Sequence, residues 1–345
     1  FCAMCGAMTL ALMSWLVLRW SRKIAPQIGW VAAVGALAAP LFLVHSEGFL
    51  EQCFITEQYT LMTMLLGMIL IVATIMNEPG SNRRRLWLAV LIGWLWGLAI
   101  CNHLSQMALG LTVALAIIGI LPRENWRPTA VRFGFVATAG LILGLLLFLW
   151  LPIRSMANPL LDWGDPQTLK RFIWALTRQQ WGTRSIFEAP PGWIAVFTRD
   201  WFSTYHPIEN WGVAGIISLA IGAVVLARRG SMKLAWLAAI CIPYTLGMYW
   251  GHLKQDGINL TYIRQYGVSD WHLPIYMAGA LAGGIGVAWG LDWMKRNTRL
   301  APAMAAVVLA AAGITGGQAI GRASMHDFNE PKMFIEDALR PTPDN

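Results

Sequence analysis

Long apolar runs broken by short polar stretches dominate this chain. Ten runs are long enough to be read as helices: Phe1–Leu18, Ile28–Val44, Tyr59–Met76, Leu86–Cys101, Leu104–Leu121, Phe133–Ile153, Trp211–Ala227, Leu234–Trp250, Trp271–Trp289 and Leu300–Ile320. Each approaches the ~20 apolar residues that cross a bilayer. Backbone polar groups have no water to bond in hydrocarbon, so such runs fold as helices. The period-two alternation of a membrane barrel strand is absent. Two features leave the local shape open. Pro40 interrupts a short run, and only Asn102-His103 separates the fourth run from the fifth. Those two runs are a tight hairpin or one bent element.

The charges test this count. Every second connection carries a basic triplet: Arg19, Arg22 and Lys23; Arg83, Arg84 and Arg85; Arg123, Arg127 and Arg132; Arg228, Arg229 and Lys233; Lys295, Arg296 and Arg299. The acidic residues fall mostly in the other connections. Cytoplasmic loops of membrane proteins collect Lys and Arg in this way. The fold class expected is all-α integral membrane, with about ten transmembrane helices and both ends of the chain outside. The bacterial cytoplasmic membrane is the expected location. The chain opens on Phe1 in an apolar run, so a fragment that lacks earlier and later segments is expected.

Composition agrees. Of 345 residues, 57% are hydrophobic and 13% charged, against about 25% charged in soluble domains. The net charge of +8 follows from the basic triplets rather than from a nucleic-acid surface, so the bilayer and not nucleic acid is the expected partner. Cys2, Cys5, Cys53, Cys101 and Cys241 are too scattered for a disulfide framework, and the Cys2–Cys5 CxxC reads as helix packing. No metal-ligand set stands out, and no resident cofactor is expected.

The outer connections hold the polar chemistry. His45–Gln58 is acidic, and Gly251–Asp270 is polar. Residues 154–210 form the longest connection, and the polar tail, residues 321–345, could open a further soluble domain. Within the long connection, Leu169, Phe172, Ile173 and Leu176 follow helical spacing. An amphipathic helix over Leu169–Trp181, started by Asp165-Pro166, is expected to lie on the membrane surface or against the bundle's outer ends.

Ionisable residues are nearly absent from the span interiors, which argues against an ion-coupled pump. The candidates instead stand at span ends. Glu57 precedes a span, as a base or as a dipole complement. His103, beside Asn102, is a helix-end group or a catalyst. Arg154 snorkels or binds an anionic head group. The segment Leu151–Pro166 is the densest, joining Arg154, Asn158, Asp162, Trp163 and Asp165. Trp faces stack on sugar rings, carboxylates bond hydroxyls and paired acids do base work. A turn that caps the following helix is the plain alternative.

This same segment carries a resemblance. Leu151-Pro152-Ile153-Arg154, Asn158-Pro159, Trp163-Gly164-Asp165-Pro166, Phe172 and Arg178-Gln179-Gln180-Trp181 match one family's pattern. Thr56-Glu57-Gln58-Tyr59-Thr60-Leu61, Gly97-Leu98 and Asn102-His103-Leu104 agree with it. Tyr262-Ile263-Arg264 and His272-Leu273-Pro274 agree more weakly. Over roughly residues 1–294, the chain resembles the protein O-mannosyltransferase-like group of multi-pass membrane proteins, which is grouped with GT-C glycosyltransferases. Gln58 stands where that family has Val.

The resemblance implies transfer of a hexose such as mannose, from a polyprenyl-phosphate carrier to an acceptor hydroxyl on a protein or glycan at the outer face. The carrier is then a substrate, not a cofactor. Glu57 and Asp162 would be the acids, although the family's main base belongs to an outer loop expected before Phe1. Asn102, His103, Arg154, Asn158, Trp163, Asp165, Gln180 and Arg264 would bind substrate, with Arg154 or Arg264 on the phosphate. A lipid-linked substrate transporter or flippase, or a non-catalytic scaffold, are the other readings.

Overall fold

The computed structural model describes residues 1–46, 48–54, 58–159, 162, 164–177, 207–255 and 272–322. Among these, every regular element is a helix. The helices are α1 (Cys2–Ile24), α2 (Val31–His45), α3 (Phe49–Phe54), α4 (Tyr59–Met76), α5 (Asn82–Asn102), α6 (Gly110–Ile118) and α7 (Trp126–Leu145). There follow α8 (Trp150–Ser155), α9 (Leu169–Leu176), α10 (Pro207–Arg229), α11 (Ser231–Gln255), α12 (Leu273–Asn297) and α13 (Ala301–Arg322).

The protein is an all-helical integral membrane protein. Among the described residues, seven helical segments are long and apolar enough to cross a bilayer: Cys2–Ile24, Tyr59–Met76, Asn82–Asn102, Trp126–Ser155, Trp211–Arg229, Leu273–Asn297 and Ala301–Gln318. Val31–His45 and Leu104–Ile118 are shorter apolar helices. Each of the ten expected runs overlaps a helical segment, and among the described residues seven of them meet the length and apolarity of a span.

The boundary after Asn102 is a hairpin. His103 is extended (φ −154°, ψ 131°), and a 3₁₀ turn over Leu104–Leu109 leads into α6. Trp96 Nε1 donates to the Gln106 carbonyl at 3.0 Å, tying the two arms. Ser81 starts α5 by accepting from the Arg84 N–H, which satisfies one of the first turn's orphan donors. The stretch between α2 and α4, expected to be a loop, contains α3, with Phe49 and Gln52 buried.

Small residues let the helices touch. Lipid tails are as apolar as Leu, so membrane helices associate through close packing rather than through water exclusion. Gly93 and Gly97 on α5 face Gly140 and Gly144 on α7. A Cβ at Gly140 would stand 2.1 Å from the Val90 carbonyl oxygen, and one at Gly93 2.0 Å from that of Ala137. Residue numbers rise together along this contact, so α5 and α7 run parallel with α6 returning between them. Gly222 on α10 meets Gly286 on α12 in the same parallel sense, whereas Gly35 on α2 meets Gly284 and Ala288 on α12 antiparallel.

These directions place alternate connections at one end of the bundle. Arg19 reaches Glu78, Ile24 packs on Gly230, Lys295 lies beside Gly29, and Asn77 bonds the Ala116 carbonyl. The basic triplets at the C-terminal ends of α1, α10 and α12 therefore share this end with the turn before Arg83. The core between the ends is apolar, with Trp20, Trp236, Met13, Leu66 and Ile69 fully buried.

Candidate functional site

At the other end of the bundle, α7 continues through a 3₁₀ turn (Leu146–Leu149) into α8 and stops at Ser155. The chain then turns back on itself. Asn158, Gly164 and Asp165 have positive φ (46°, 78° and 43°), a region that Asn, Asp and Gly enter at least cost. Pro159 and Pro166 punctuate the same stretch. The Asn-Pro and Gly-Asp-Pro of the sequence motif are thus the residues that allow the reversal.

The reversal wraps around one hydroxyl. Ser155 is 1% exposed. Its Oγ donates to Asp162 Oδ2 at 2.5 Å and lies 3.4 Å from Asp165 Oδ1. Gln167 Nε2 donates to the Ser155 carbonyl at 3.0 Å and to Asn158 Oδ1 at 3.2 Å. Asp165 also pairs with Arg171, one turn into α9. Of the expected site residues, Asn158, Asp162 and Asp165 are therefore joined in one network. Ser155 and Gln167, its central polar groups, stand between or beside the motif positions, and sequence reasoning passed them over.

Asp165 does not start the following helix as expected. Its backbone is left-handed and its carboxylate is engaged with Ser155 and Arg171. Thr168 takes the capping place instead, accepting from the Arg171 N–H. The described helix is Leu169–Leu176, shorter than the expected Leu169–Trp181, whose last residues lie outside the described ones. Leu169 and Ile173 remain 73% and 46% exposed beside Lys170, the two-sided character of a helix that meets lipid.

Asp162, Gly164, Asp165, Thr168, Lys170, Arg171, Ile173 and Trp174 line a cleft of about 770 Å³. Its walls present two carboxylates, two cations and an indole. Carboxylates accept from hydroxyls, ammonium and guanidinium groups hold phosphate, and an indole face stacks on apolar sugar faces. Lys170, Arg171 and Trp174 belong to the site by structure. The sequence showed them only as members of an amphipathic helix.

A second polar cluster occupies the same end. Asn102 Nδ2 donates to the Gln58 carbonyl at 3.2 Å, and the His103 ring lies 6.1 Å from that of Tyr59. His103 Nδ1 is 2.7 Å from Ser105 Oγ, and Gln106 Nε2 donates to the Tyr244 hydroxyl at 2.5 Å. Among the described residues, no hydrogen bond joins this cluster to the Ser155 network. Cys101 Sγ, just before Asn102, contacts the Gly144 carbonyl on the helix that leads to Ser155. Arg154 is exposed next to Ser155. Glu57, Trp163, Gln180 and Arg264 lie outside the described residues.

Residues 1–127 match the family described as "Protein O-mannosyl-transferase TMEM260 N-terminal domain". Over 260 residues the chain is 24% identical to the mouse protein O-mannosyl-transferase TMEM260, covering 72% of this chain and 34% of that relative. The chain thus spans about a third of the relative's length. Because the relative is a mouse protein, the comparison carries membrane placement and not the bacterial source expected. No solved structure matches. Together, the family match and the relative support the resemblance read from the sequence, to the protein O-mannosyltransferase-like family of multi-pass membrane proteins.

Proposed function

We propose that this chain is the membrane part of a glycosyltransferase. It moves a hexose, mannose first among the candidates, from a polyprenyl-phosphate carrier to an acceptor hydroxyl on the non-cytoplasmic face. The mouse relative's name supports the reaction class. The observation that carries the reading is the cleft over the Ser155–Asp162–Asp165 network, at the end of the bundle away from the basic turns. A donor with a lipid tail and a polar head needs a site of this kind, where apolar helix faces meet a charged cleft.

In the proposed reaction the acceptor oxygen attacks the sugar's anomeric carbon. Its proton passes to a carboxylate, for which Asp162 is the candidate in this chain, with Glu57 the second. The bond from the anomeric carbon to the phosphate oxygen breaks, and its electron pair leaves with the polyprenyl phosphate. Arg154, Lys170 and Arg264 are the candidate cations for that developing charge. Arg171 is already engaged by Asp165. Asn158, Trp163, Asp165, Gln180, Asn102 and His103 are proposed to hold the sugar and the acceptor.

The test is sugar transfer by the full-length protein in membranes. Radiolabelled polyprenyl-phosphate mannose and then the glucose analogue are supplied, and wild type is compared with Arg154→Ala and Asp162→Ala at equal abundance. Loss of transfer in both variants supports the enzyme and this site. Transfer that ignores both substitutions removes the site, and no transfer from either donor shifts weight to transport of a lipid-linked substrate.

A further inference from the structure

Three of the five cysteines meet where α3 crosses the first turns of α1. Cys53 lies on α3, and its sulfur fills the space left by the missing side chain of Gly6. A Cβ at Gly6 would stand 2.4 Å from Cys53 Sγ and 3.7 Å from Cys53 Cβ. Cys2 is four residues before Gly6, and so on the same helix face one turn away. Cys5 is adjacent to Gly6 but fully buried, whereas Cys2 and Cys53 are both partly exposed. All five cysteines are thiols in this structure.

We infer that Cys2 and Cys53 form a disulfide that fastens α3 to the start of α1 when this end of the bundle meets a disulfide-bearing oxidant. The inference goes beyond sugar transfer and does not depend on it. The reach is set by the seat on Gly6: a bridged pair needs Cβ atoms about 3.5–4.5 Å apart. Cys53 already holds that spacing to position 6, and Cys2 stands one turn along the same face, so a slide of up to one turn, about 5.4 Å, brings it to Cys2. Cys5 is excluded by access, because the oxidant must touch the attacking sulfur.

The chemistry balances as thiol–disulfide exchange. One cysteine thiolate attacks the oxidant's disulfide and displaces one of its sulfurs. The second cysteine sulfur then attacks the mixed disulfide and displaces the other, so the oxidant is reduced to two thiols, which take up the two protons that the cysteines give up. Burial, with the neighbouring Cys2 and Cys5 thiols, pushes the Cys53 thiol up to about 11. Cys53 is therefore a poor first attacker at neutral pH, and Cys2 makes the first bond.

The experiment uses full-length protein purified in detergent, incubated with oxidised glutathione, alkylated with N-ethylmaleimide and digested without reductant. A Cys2 peptide linked to a Cys53 peptide is expected, lost after dithiothreitol, retained in Cys5→Ser and absent in Cys2→Ser. The wild-type result stands even where a variant folds poorly. Alkylation of both Cys2 and Cys53 after oxidation overturns the inference, as does linkage of either one to Cys5 or to glutathione alone. Sugar transfer is not read, so the outcome is separate from that of the proposed reaction.

Discussion

The Ser155 hydroxyl donates to Asp162 at 2.5 Å from a position closed to solvent. Asp165 approaches the same hydroxyl at 3.4 Å, and Arg171 engages Asp165 from the other side. The two carboxylates thus differ: one is paired with a guanidinium, and the other accepts from a neutral hydroxyl and lines the cleft. Division of labour between neighbouring acids arises from such differences in surroundings.

Ser155→Ala therefore tests whether Asp162 must be held in place. A hydrogen bond to a charged group contributes about 1.5–3 kcal/mol, so loss of the donor is expected to lower sugar transfer by about tenfold or more. Protein abundance in membranes should stay unchanged, and Ser155→Thr, which keeps the hydroxyl, should retain most of the transfer. Equal transfer by Ser155→Ala and wild type would show that the hydroxyl only closes the turn.

The contact between α5 and α7 makes a second prediction. At Gly140 a side chain would meet the Val90 carbonyl at 2.1 Å, whereas at Gly134, on the same helix, it meets nothing within 4 Å. Gly140→Leu must push two backbones apart, and overpacking of this kind costs about 1–3 kcal/mol or more. The thermal midpoint of the detergent-solubilised protein should fall for Gly140→Leu and hold for Gly134→Leu. A matching fall in both would mean that the close approach is not what holds the pair.

Much of this architecture was legible in the sequence, because apolar run length and alternating charge report directly on a bilayer. The Tyr59–Met76 helix was read to the residue, and the basic C-terminal ends of α1, α10 and α12 do share one end. The helix partners were not legible. Gly93 and Gly97, like Gly140 and Gly144, have the four-residue spacing that close helix pairs use, but spacing on one helix does not name its partner. At the site, the motif pointed to Asn158, Asp162 and Asp165, and the network joins all three. It did not reveal Ser155, whose role depends on a burial that only the chain reversal creates. Asp165 misled as a helix start because Asp-Pro fits a cap equally well, and its left-handed backbone is fixed by contacts further along, at Arg171.

In the core, Trp20 Nε1 donates to Thr74 Oγ1 at 2.9 Å, and both residues are buried. Thr74→Val keeps the shape and removes the acceptor. A buried indole N–H left without a partner costs about 1–3 kcal/mol, so the thermal midpoint should drop. Trp20→Phe combined with Thr74→Val should recover part of the loss, since the stranded donor is then gone. A double variant less stable than the sum of the two single ones would show that packing of the indole ring, not its hydrogen bond, sets the cost.

At the basic end, Arg19 Nε on α1 donates at 2.8 Å to Oε1 of Glu78, just past the end of α4, the two helices running parallel, as the pairs Thr9–Thr63 and Trp20–Thr74 show. That hydrogen bond, with charge from Arg19 itself, Lys23 and Arg84, holds the Glu78 carboxyl below the usual range despite some burial. A carboxyl whose value is lower when folded binds protons less readily than in the unfolded chain. Its stabilisation is therefore complete above the unfolded value of about 4.3 and is lost as pH falls through the lower, folded value. Arg19 is half-exposed, so the contribution is small, about 0.2–1 kcal/mol, and shrinks with salt. The thermal midpoint of wild type minus that of Glu78→Gln should be positive at neutral pH, narrow below pH about 4 and narrow again in 1 M salt. A difference that stays constant through the acid range would mean that Glu78 is held by packing of the turn, and not by its charge.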